Sequence, residues 1–184
     1  VRVIVLFISY NMGMFAIITM APLYLRENHD LGWLATAMAM AAMMLPGALM
    51  QPWMGKISDS LGRRPLIIIG NGVAAVAAFV AWLPSPFALS LIALGIALTA
   101  LVAIRAVLLA SAIDHSGGRE GTSLGLTFAF MDGFAASGAV LAGIVAESNI
   151  ANAFLLASGF SVVAVLLAVA QPKSARATTD PALP

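Results

Sequence analysis

Residues 55–65 read GKISDSLGRRP, and they stand between two long stretches without a formal charge. Residues 31–55 contain no Asp, Glu, Lys or Arg, and neither do residues 65–104. Both stretches supply what a helix needs to cross a hydrocarbon core, about 20 mostly apolar residues. A short segment dense in Gly and Arg between two such stretches predicts a tight connection between membrane helices. Its basic residues would hold it at the cytoplasmic face.

Composition supports the same class. With 61% hydrophobic and 9% charged residues and a mean hydropathy of +1.01, the chain lies far from soluble domains, which run about 45–50% apolar and about 25% charged. The nine Lys and Arg are spread over several loops, so no basic patch for nucleic acid forms. With no Cys there is no disulfide, thiolate metal site or thiol chemistry. Nine of the ten Met fall by residue 54, but without Cys or an intramembrane His they read as adaptable packing rather than as a metal path.

Breaking the chain at charged clusters and at Pro or Gly gives six expected helices, over residues 3–25, 32–54, 65–83, 87–112, 122–146 and 151–171. Residues 73–83, VAAVAAFVAWL, are apolar on every face, which is unlike the alternation of a membrane β-strand. Pro84 and Pro86 separate the third and fourth spans, because prolines there forbid one continuous helix. Pro46 and Pro52 predict kinks in the second span. Residues 172–184 are polar and contain Pro, and are expected to be a disordered tail.

With both termini in the cytoplasm, Arg2, Lys56, Arg63, Arg64, Arg105, Arg119, Lys173 and Arg176 fall at or near the inner face, and only Arg26 falls outside. That asymmetry predicts a multi-pass protein of the plasma (inner) membrane with both ends inward. The first apolar run is too long for a cleavable signal peptide. The chain begins at Val1, without Met, as a fragment would.

Within residues 55–65, Gly55 and Gly62 would permit a sharp reversal, and Pro65 suits the first turn of the following helix. Arg63 and Arg64 suit phosphate head groups or carboxylates, and Asp59 a helix amino end or an Arg partner. Gly55, Asp59, Gly62, Arg63 and Arg64 together resemble the loop motif G-x-x-x-D-x-x-G-R-[RK] of the major facilitator superfamily, which joins the second and third helices of a six-helix half. The resemblance implies an all-α membrane protein forming one half of a twelve-helix transporter, with Asp59 latching onto a helix of the other half. It points to the carboxyl-terminal half. Residues 87–95, FALSLIALG, lack the Arg that the amino-terminal half usually carries there, and the chain stops soon after the sixth span.

Asp132 is the formal charge that lies deep within a span. A mid-helix Asp costs about 2.5–3.5 kcal/mol on insertion scales, so a chain that keeps one pairs it, hydrates it or uses it. It is the candidate for a coupling proton or a cationic group, the alternative being a structural hydrogen bond to a neighbouring helix or to the other half. Ser9, Tyr10, Asn11 and Thr19 in the first span are candidates to face an aqueous cavity. By the resemblance, Thr99 and Arg105 of the fourth span join them, although Arg105 also suits snorkelling to the head groups. Gly133, Gly138 and Gly143 in the fifth span suit close helix packing. Ala139 stands where the superfamily's antiporters carry Pro, so the antiporter motif is not matched. His29 and His115 fall in expected loops.

No nucleophile elbow, phosphate-cradling loop or His cluster supports an enzyme, and no cofactor is implied. The expected function is secondary active transport of a small solute by rocking of two halves around a midplane site. The alternative is a non-transporting membrane scaffold or accessory subunit. The expected partners are the lipid bilayer, the solute, and either an amino-terminal half or a second copy.

Overall fold

The computed structural model describes residues 2–114 and 120–171. Six helices account for nearly all of them: α1 (Arg2–His29), α2 (Trp33–Leu61), α3 (Arg63–Trp82), α4 (Phe87–Asp114), α5 (Glu120–Ala146) and α6 (Asn152–Val169). Each contains a stretch apolar and long enough to cross a membrane, and no strand occurs among the described residues. The protein is an all-α membrane protein. The tail expected over residues 172–184, and His115 and Arg119, lie outside the described residues.

The charged segment is more helical than its composition suggests. α2 runs through Gly55 to Leu61, and the connection to α3 is the single residue Gly62. At 29 residues and about 1.5 Å per residue, α2 is about 43 Å long and overruns a hydrocarbon core of about 30 Å. The reversal expected at Gly55 does not occur. Gly62 alone turns the chain, at φ 89°, where a side chain would be strained. Its N–H donates to the carbonyl of Ser58 at 2.9 Å, closing the end of α2. Pro65 sits in the first turn of α3, where its missing N–H leaves nothing unpaired.

The helices neighbour one another in a symmetric pattern. α4 packs between α2 and α3, α1 packs between α5 and α6, α3 lies against α6, and α1 meets α4. Exchanging the first three helices for the last three maps this pattern onto itself. Because three passes reverse the direction of the chain, the two triplets are inverted repeats. Tyr10, Ile17, Leu98, Leu101, Leu108 and Phe154 are among the fully buried side chains at the centre.

Two equivalent seams are closed by glycine. A Cβ on Gly47 of α2 would stand 2.6 Å from the carbonyl oxygen of Thr99 on α4. A Cβ on Gly138 of α5 would stand 2.6 Å from the backbone of Met12 on α1. Lipid tails are as apolar as Leu, so membrane helices associate through such close backbone contact. The α3·α6 seam adds polar ties: Ser158 Oγ donates to the Ala75 carbonyl at 2.8 Å, and Trp82 Nε1 donates to Asn152 Oδ1 at 3.2 Å. The other two glycines expected to pack behave differently. Gly133 is exposed and has open space around it, and Gly143 has only ordinary contact with Met20 Cε at 4.0 Å.

At the end of the bundle holding Gly62, Arg64 donates to the carbonyl of Val169 and Arg2 Nη1 donates to the carbonyl of Ala170 at 3.2 Å. Both guanidinium groups thus satisfy carbonyls that the end of α6 leaves orphaned, with their charge at the favourable pole of its dipole.

Gly47→Val is expected to lower stability by about 1–3 kcal/mol through overpacking, whereas Gly133→Ala leaves the thermal midpoint in detergent unchanged or slightly raised. Arg64→Ala is expected to cost about 1 kcal/mol, the scale of a charged group at a helix carboxyl end. Amide hydrogen exchange should show the loss as faster exchange confined to the last turn of α6.

Candidate functional site

The α1–α4 seam brings together much of what the sequence nominates. Tyr10 is fully buried, and its hydroxyl donates to the Leu101 carbonyl on α4 at 2.6 Å. Arg105 lies one helical turn beyond Leu101 and is half-buried. Asn11 is also fully buried. Tyr10 and Asn11 therefore sit in the bundle interior and not on an open face, and a Tyr there needs the hydrogen bond it has.

The two threonines spend their hydroxyls on the backbone. Thr19 Oγ1 donates to the Phe15 carbonyl at 2.7 Å, within its own helix. Thr99 Oγ1 donates across to the Met43 carbonyl of α2 at 2.9 Å. Gln51, which nothing in its uncharged surroundings singles out, makes a parallel tie from α2 to the Val102 carbonyl at 3.1 Å. The α2–α4 seam is thus stitched by Gly47, Thr99 and Gln51 together.

Asp132 is exposed on α5. The packing face of that helix carries Ala135, Gly138 and Ala142, all buried, and Asp132 stands to one side of it at helical spacing. It makes no hydrogen bond or ion pair with another described residue. An open carboxylate at membrane depth is tolerated where water or a partner reaches it.

Asp59 takes neither role that its sequence context offered. The amino end of α3 has no side-chain cap, and Asp59 makes no ion pair with another described residue. It is exposed in the last turn of α2, where a negative charge meets the unfavourable pole of the helix dipole.

The opposite end is aromatic. His29 is the last residue of α1 and is half-buried, not looped out into solvent. Its ring meets the rings of Tyr24 and Phe87 edge-on, at 5.3 and 5.1 Å between centroids. Arg26 lies 3.3 Å over the indole of Trp33, an exposed Trp at the head of α2. Such an aromatic rim is typical of the membrane–water interface.

Among the described residues no group of three His, Asp or Glu is placed to hold a metal. A comparison with curated proteins gives no match. The family model of the Major Facilitator Superfamily matches residues 3–183, nearly the whole chain. Six membrane-length helices in two inverted triplets, joined after the second by the Gly62 turn, account for that match, and the chain belongs to the Major Facilitator Superfamily, with the helix complement of one half of the fold.

Proposed function

We propose that this chain forms one wall of a secondary active transporter for a small solute. The solute path would run between α1, α2, α4 and α5 on this side and a second six-helix unit on the other. The observation that carries the reading is the one-sided packing of α2 and α5. Both are membrane-length, yet most of their surface is open. On α2 the exposed side chains include Leu34, Met38, Leu45 and Leu49. On α5 the open surface carries Asp132.

In this reading the end bearing Arg2, Lys56, Arg63 and Arg64 faces the cytoplasm, in keeping with the positive-inside bias of the inner membrane. The second unit is an amino-terminal half or a second copy, and the two rock about a midplane site. Asp132 faces the path and takes the coupling proton or a cationic group of the solute. Asp59 holds the cytoplasmic end closed by binding the second unit, since no helix cap or ion pair among the described residues rewards its position. Tyr10, through its bond to the Leu101 carbonyl, holds α1 and α4 in register behind the path.

Asp132→Asn is expected to lower gradient-driven flux in proteoliposomes by about tenfold, within the range of about 1–3 kcal/mol usual for coupling between sites. Exchange without a gradient should survive, and Asp132→Glu should restore coupling. Unchanged protonophore-sensitive flux in the Asn variant would remove Asp132 from the mechanism.

Asp59→Asn is expected to open the cytoplasmic end. The chain has no Cys, so one engineered thiol near that end reports access without background. Its alkylation should quicken about fivefold, as expected for a loss of about 1 kcal/mol from the closed state. Equal rates in both forms would sink the latch.

A further inference from the structure

A groove of about 570 Å³ runs along the side of α4 that faces away from α1, walled by α2 and α3. Met43, Met50 and Met54 line it from α2, and Leu66 and Val73 from α3. Its floor is low because α4 presents Gly95, Ala100 and Ala103 there. Among the described lining residues the one polar side chain is Thr99, and its hydroxyl is already given to the Met43 carbonyl. No other side chain among the described lining residues can recognise a polar solute.

The shape of the groove selects its occupant. On α2 the lining extends from Ala39 to Met54, about 22 Å at about 1.5 Å per residue. A polymethylene chain suits an apolar groove of that length, open along one side to the surrounding lipid. The length exceeds the roughly 15 Å that one leaflet contributes to a hydrocarbon core, and thioether side chains adapt to an irregular apolar guest.

Charge fixes which way round the guest lies. At the Met54–Leu66 end, Lys56 is exposed half a turn beyond Met54, and Arg63 opens α3 one turn before Leu66. With Arg64, these cations outnumber Asp59, the acid of the same segment. At the other end, residues 83–87 between α3 and α4 carry no charge. We infer that the groove binds one acyl chain of an anionic phospholipid from the leaflet on the basic side, its phosphate held by Lys56 and Arg63. A guanidinium has five N–H donors, so Arg63 can serve a phosphate beside its other contacts. The inference rests on membrane insertion and not on the transport reading.

The test is native mass spectrometry of the purified protein released from detergent, after adding phosphatidylglycerol or phosphatidylcholine with identical acyl chains. One phosphatidylglycerol per chain should be retained in excess over phosphatidylcholine. Lys56→Gln should lower phosphatidylglycerol retention about fivefold, at about 1 kcal/mol per basic residue near the surface, and leave phosphatidylcholine unchanged. Gly95→Leu should abolish retention of both. A Cβ at Gly95 makes only ordinary contact, 3.6 Å from Met43 Cγ, so the variant is expected to keep its thermal midpoint. If it does not, Ala100→Leu fills the same floor and takes its place. Equal retention of the two lipids, or wild-type retention in the filled variant, overturns the inference. So does a dimer that the filled variant abolishes, because a second copy would then be the occupant.

Discussion

The approach of α2 to α4 and of α5 to α1 at a single missing side chain each is the contact on which the bundle depends. In water, a face of Leu and Val is driven inward by the solvent. In lipid that drive is absent, and what remains is dispersion between surfaces that meet closely and hydrogen bonds that replace nothing better. Gly47 and Gly138 occupy equivalent seams of the two inverted triplets. Each lets a neighbouring backbone come nearer than any Cβ would allow. The outer helices of the set are thereby held along one edge while their remaining surface stays open.

The polar groups follow the same economy. Helix carbonyls already accept one bond from within the helix but have a second lone pair. Tyr10 uses that of Leu101, Thr99 that of Met43, Gln51 that of Val102 and Ser158 that of Ala75. Each is a donor from one helix placed on the backbone of another, so no hydroxyl or amide donor in these pairs faces hydrocarbon unpaired. The cost of stranding such a donor, about 1–3 kcal/mol in proteins, makes these ties specific about register even where their net contribution is small. They also explain why polar residues nominated for an aqueous cavity can lie in the interior.

How much of this was legible in the chain depends on which physical signal carries it. The six passes could be read because charge and proline interrupt the apolar runs at the spacing a bilayer requires. Gly62 could be read because a reversal between two long helices needs one residue free to take a positive φ. Gly55 was misread because nothing local tells a glycine that turns from one that continues a helix at a cost of about 1 kcal/mol. The rotation of each helix about its axis was not legible at all. Helices that are apolar all round have no polar face to mark the outside, so Gly133 and Gly138 look alike in sequence, yet one meets open space and the other a backbone. For the same reason the sequence offered Tyr10 and Asn11 as cavity residues when both are fully buried.

Charge, in contrast, does several kinds of work at once at one end of the bundle. Arg2 and Arg64 satisfy the carboxyl end of α6. They tie the starts of α1 and α3 to the helix that closes the second triplet. Asp59 sits within the same segment, at the wrong pole of its own helix. The guanidinium of Arg64 is given to α6, and Asp59 keeps an exposed carboxylate at the unfavourable pole of α2, where solvent screens it. The same bond joins the start of α3 to the end of α6 at the side of the bundle that holds Gly62, and with the Ser158 and Trp82 ties farther along it fixes the register of the α3–α6 seam over its length.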